Sequence, residues 1–154
     1  MSTKVKCILF AILALILIAG ILFFCWLHVD GKHLPLPEGS DITGYVTVLQ
    51  IGIDKDTGNA THDSVSCDMT NAQVADFLQL LRRSSYWRTG HGSSVSFDGD
   101  TAYTISLAYR DQNRTEIMMF SILDSGLISC TDSFGYLRIA DSDFLTQLQA
   151  ILDA

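Results

Sequence analysis

Residues 70–83 read TNAQVADFLQLLRR, and this stretch decides the fold. Thr70 and Gln73 form a T-x-x-Q capping box, in which each side chain satisfies a backbone N–H at the helix start. Val74, Phe77, Leu78 and Leu81 then recur at i, i+3, i+4 and i+7, and Arg82 and Arg83 fall in the last turn, where cations suit the helix dipole. The spacing predicts an amphipathic helix with one apolar stripe, and such a stripe needs a sheet or another helix to bury it.

Sheet signals lie on both sides. Upstream, TGYVTVLQIGI (43–53) alternates, with Tyr45, Thr47, Leu49, Ile51 and Ile53 on one face and Val46, Val48, Gln50 and Gly52 on the other. DKDTGNA (54–60) turns the chain, and THDSVSC (61–67) returns as a second strand. Asp54 and Asp56 open like a calcium loop, but glycine stands fifth instead of sixth and Val65 occupies the closing position, so a hairpin turn is the reading. Downstream, TAYTISLAYR (101–110) carries Tyr103, Ile105, Leu107 and Tyr109 on one face. RTEIMMFSIL (114–123) does the same with Met118, Phe120 and Ile122. LISCT (127–131) and YLRIA (136–140) follow, and the short turns DQN, DSG and SFG between these runs favour antiparallel hairpins. A last helix, capped by Asp141 or Ser142, has Phe144, Leu145, Leu148, Ile151 and Leu152 as its buried stripe. Residues 42–154 are therefore expected to form one α+β unit of order β-β-α-β-β-β-β-α, an antiparallel sheet with two helices on one face.

Working further out, Ile8 to Leu27 (ILFAILALILIAGILFFCWL) carries no charge. Twenty helical residues cover roughly 30 Å, the hydrocarbon thickness of a bilayer. The run is longer than a signal-peptide core, and Phe23, Phe24, Trp26 and Leu27 close it without small residues, so an uncleaved anchor is expected. Cys25 follows Phe23-Phe24, not the small pair of a lipoprotein acceptor site. Lys4 and Lys6 precede the run, which puts residues 1–7 in the cytoplasm and residues 28–154 outside. Residues 28–41, HVDGKHLPLPEGSD, hold both prolines and no periodicity, and read as a stalk.

Beyond the run lie eight of the 10 basic side chains and all 17 acidic ones, a net charge of −9. That balance excludes nucleic-acid binding and predicts a domain that stands off anionic lipid. Of four cysteines, Cys67 and Cys130 lie in the outer domain. They read either as a disulfide or as two small buried hydrophobes on neighbouring strands.

The chemistry-bearing residues form no strong constellation. His91 in RTGHGSS (88–94), with Ser93 or Ser94 and Asp98 or Asp100, supplies the residue types of a hydrolase triad without a G-x-S-x-G elbow. His28, His33, His62 and His91 have no zinc spacing, so neither a metal nor another cofactor is expected. Tyr86-Trp87-Arg88 combines residue types that binding surfaces favour, and reads either as a contact surface or as aromatic cover for the sheet edge.

Two segments, PLPEGSDITGYVTV and FGYLRIADSDFLTQLQAIL, resemble an uncharacterised group of small extracytoplasmic domains of Gram-positive bacteria, found behind a single anchor or lipid signal. The similarity spans about residues 34–152; SCTDSFGY departs from the group by lacking an acidic-proline lead-in. The resemblance implies location and fold, not an activity. The expected function is non-enzymatic binding or sensing at the cell envelope, with a protein, peptide or envelope component as partner. The alternatives are a hydrolase using the His91 loop and a structural or immunity-type membrane protein.

Overall fold

A computed structural model describes residues 3–39, 41–53, 60–89, 101–112, 114–130 and 134–154, with side chains at all of these except 3–9, 11, 51, 53, 60 and 62. Helix α1 (Thr3–Leu27) passes directly into strand β1 (His28–Asp30) and a 3₁₀ turn, Gly31–His33. There follow β2 (Thr43–Ile53), β3 (Ala60–Met69), α2 (Asn71–Arg83), β4 (Ser85–Arg88), β5 (Thr101–Asp111), β6 (Arg114–Leu123), β7 (Leu127–Cys130), β8 (Phe134–Ile139) and α3 (Phe144–Leu152). Among the described residues this is an α+β chain with one eight-stranded antiparallel sheet, ordered β1-β4-β8-β7-β6-β5-β2-β3, and three α-helices.

Local signals explain most elements. Thr70 caps α2 as a full box: its hydroxyl oxygen accepts from Gln73 N (3.2 Å), and Gln73 Oε1 accepts from Thr70 N (2.8 Å). Gln73 Nε2 then donates to the Leu152 carbonyl, tying the start of α2 to the end of α3. The cap of α3 differs from expectation. Asp143 occupies that position without a side-chain cap bond, its carboxylate accepting from Gln147 Nε2, while the Asp141 carboxylate accepts from Ser85 N (2.9 Å) and Ser85 Oγ (3.3 Å).

Cross-strand register assembles the core. Val46, Ile105, Phe120 and Cys130 stand in one row on β2, β5, β6 and β7, all buried. The stripes of α2 and α3 close this face: Phe77 packs edge-on against Phe120, Phe144 against Tyr86, and Gln149 Nε2 donates to Tyr103 Oη. Gly44 permits the close approach of α2 to β2, since a Cβ there would lie 2.6 Å from Val74 Cγ2. The opposite face buries only a small cluster of Ala102, Leu123 and Leu127, with Leu49 against it, and leaves Tyr45, Ile117, Met119 and Tyr136 exposed.

Two expectations are corrected. Eight strands form where six were expected, because β1 and β4, three and four residues long, are too short to show alternation and are held by each other and by β8. The segment 28–41 is not a free stalk. His28, Val29 and Asp30 pair with Trp87, Tyr86 and Ser85, Gly31 N donates to the Ser84 carbonyl, and Leu34 enters the core. Asp30 caps the 3₁₀ turn by accepting from Lys32 N, and this bond holds its carboxyl below the usual range.

Among the described residues, whose side chains run unbroken only from Ile12 in α1, no helix is long and apolar enough to cross a membrane.

Candidate functional site

The disulfide expectation fails on topology. Cys67 lies on β3 and Cys130 on β7, with β2, β5 and β6 between them. Four strand spacings amount to roughly 19 Å, whereas bridged cysteines need Cα atoms within about 7 Å. Neither are they buried neighbours: Cys130 is buried and Cys67 exposed. Mass spectrometry of the chain with and without reductant should give no two-dalton shift for a Cys67–Cys130 pair; such a shift would contradict this strand order.

His28 stacks edge-on against Trp87, His33 is exposed in the 3₁₀ turn, and the His62 side chain and His91 lie outside the described residues. Ser93, Ser94, Asp98 and Asp100 of the hydrolase reading, and Asp54 and Asp56 of the calcium-like turn, also lie outside them. Among the described residues no His, Cys, Asp and Glu group could hold a metal ion, and no buried side-chain polar atom lacks a partner.

Tyr86, Trp87 and Arg88 become strand β4, and strand alternation sends them apart. Tyr86 is fully buried and therefore leaves the expected contact surface: its hydroxyl donates to the Leu81 carbonyl (2.9 Å). Burial holds its phenol well above the usual range; Asp141 adds to this and Ser84 opposes it, so the donor proton stays in place. Trp87 turns to the other face, where the rings of Phe24 and His28 each stand 5.2 Å away, both edge-on. Arg88 is exposed on Tyr86's side. Its Nε donates to the Trp26 carbonyl (3.1 Å), and its guanidinium carbon lies 5.7 Å from the centroid of the Trp26 ring. The last turn of α1 thus touches β4 through Phe24 on one side and Trp26 on the other.

This junction encloses a cleft of about 490 Å³, lined by Trp26, Leu27, Arg88, Thr89, Gly135, Tyr136 and Leu137. Thr89 braces its floor, donating from N (3.3 Å) and Oγ1 (2.8 Å) to the Tyr136 carbonyl. A smaller hollow of about 320 Å³ between α2 and α3 has no aromatic side chain, and its Arg83 is engaged by Gln147. The larger cleft offers a guanidinium, the Trp26 ring and, among the described residues, a Thr89 hydroxyl already donating to the Tyr136 carbonyl. That chemistry suits an anion beside an apolar group.

Of the cleft residues, the expected contact surface included Arg88 but not Trp26, Thr89 or Tyr136. Trp26 was legible as an aromatic residue at the edge of an apolar run; its approach to Arg88 depends on β1 pairing with β4. No protein-family model, curated protein or solved structure matches the chain.

Proposed function

We propose that the chain is a single-pass membrane protein whose residues 8–27 cross the bilayer, with residues 28–154 outside as a binding or sensing domain at the cell envelope. The observation that carries this reading is the surface of α1. Phe10, Ile12, Leu13, Leu15 to Ile18, Ile21 to Phe24 and Trp26 are all at least half exposed. None of them joins the core of the sheet and helices. An apolar surface of that extent in water is a strong driving force for lipid contact. Lys4 and Lys6 before the run support the orientation. The likeness to extracytoplasmic domains of Gram-positive bacteria belongs to the same proposal. A binding role is favoured by the cleft at Arg88 and by the exposed Tyr45, Ile117, Met119 and Tyr136 on the open face of the sheet.

Cys67 supplies the test, because it is exposed on an outer strand while Cys130 is buried. In intact cells expressing the full chain, a membrane-impermeant maleimide should label it, and Cys67→Ser should abolish the label. Labelling only after permeabilisation would reverse the orientation. Release of the protein from membranes by alkaline carbonate would overturn the anchor.

A further inference from the structure

We infer that the cleft between α1 and the ends of β4 and β8 seats the phosphate of a phospholipid headgroup; this rests on the membrane reading of α1. Arg88 is the ligand, and the ring of Trp26 is its interfacial flank.

Three observations converge. The first is charge. The outer part of the chain carries a net −9, yet among the described residues the Arg88 side chain meets no carboxylate, only the carbonyl and ring of Trp26. Arg88 is exposed and its side-chain hydrogen bond to Trp26 uses Nε alone, and a guanidinium edge donates two parallel bonds to a phosphate. The second is shape. About 490 Å³ falls within the size range of small-ligand sites. It accommodates a phosphate with its glycerol, and the half-buried Leu27 offers apolar contact to the adjoining chains. The third is place. Trp26 and Leu27 end the apolar helix, and β1 follows with no spacer. The cleft therefore sits at the depth where tryptophan and tyrosine rings meet headgroups. A peptide carboxylate would satisfy the guanidinium, but it would gain nothing from the continuity with α1. That continuity selects the lipid.

This reverses the sequence expectation of a domain held off the bilayer. The net charge does repel an anionic surface as a whole, but a phosphate seated on Arg88 meets a local cation, and the segment 28–41 is folded into the domain instead of extending as a stalk.

The test reconstitutes the full chain in vesicles of dioleoylphosphatidylglycerol, extracts it with mild detergent and counts retained phospholipid by native mass spectrometry. The unaltered chain should keep one phospholipid. Arg88→Gln should lower retention about tenfold, the loss expected for hydrogen bonds to a charged group, and Arg88→Lys should retain an intermediate amount. Arg138→Gln, which removes a cation paired across from Trp87 on the other face, should leave retention unchanged. Equal retention by the unaltered chain and Arg88→Gln overturns the site. So does equal retention of a phosphate-free galactolipid from parallel vesicles, or displacement of the lipid by a short acidic peptide at equal concentration. Vesicle flotation separates this failure from that of the anchor: a chain that floats but retains no lipid through Arg88 loses only the site, whereas a chain that does not float loses both.

Discussion

Gly31→Ala is expected to destabilise the domain by about 3 kcal/mol or more, the upper end of overpacking costs. A Cβ at this position would lie 2.0 Å from the Leu81 carbonyl oxygen and 2.6 Å from that of Ser84. Both atoms belong to the backbone at the end of α2, so no rotamer change relieves the overlap. Retreat of the 3₁₀ turn is blocked as well. Gly31 N donates to the Ser84 carbonyl at 2.9 Å, β1 is paired to β4 just before it, and Leu34 is buried just after. The measurement is urea unfolding of the full chain in detergent micelles, followed by near-ultraviolet circular dichroism. A free spacer tolerates alanine within about 0.5 kcal/mol, so an unchanged midpoint would return residues 28–41 to the role of a stalk.

The same residues mark where sequence reading stops. The elements with their own repeating signal were legible. The T-x-x-Q box fixed α2, and alternation at Tyr103, Ile105 and Leu107 and at Met118, Phe120 and Ile122 fixed β5 and β6 with the correct faces inward. β1 and β4 were not legible, since three or four residues cannot display a period and each strand exists only through its partner. Strand order was equally hidden. Cys67 and Cys130 both lie on strands, but only the sheet order shows three strands between them. The contact motif was half legible: Tyr86, Trp87 and Arg88 looked like one surface because they are adjacent in sequence. Period-two geometry sends Tyr86 inward and sets Trp87 and Arg88 on opposite sides of the strand end, each against a different ring of α1.

The proposed site therefore belongs to a junction and not to a motif. Trp26 enters it as the end of α1, Arg88 as the end of β4 and Tyr136 as part of β8. If the junction is built by the sheet, its geometry depends on the core, and the core has an identifiable centre.

Phe77→Ala removes that centre and is expected to cost about 3–5 kcal/mol, the range for deleting a buried aromatic ring. Phe77 is fully buried, and its ring meets Phe120 edge-on at 5.4 Å and 85°. Phe120 in turn stands in the row with Val46, Ile105 and Cys130 and lies 6.4 Å from Phe134 at the start of β8. The loss therefore falls where α2 is joined to the middle of the sheet, which cannot collapse around the cavity without moving several paired strands. Urea unfolding of Phe77→Ala, Phe120→Ala and the double variant should show a coupling of about 0.5–1.5 kcal/mol, as aromatic pairs do; strictly additive losses would mean that the two rings act independently. No described side chain of α1 belongs to this core. Phe77→Ala should therefore lose near-ultraviolet dichroism at a lower urea concentration while the chain still floats with vesicles. Loss of flotation together with the fold would show instead that the membrane association comes from the domain and not from the helix.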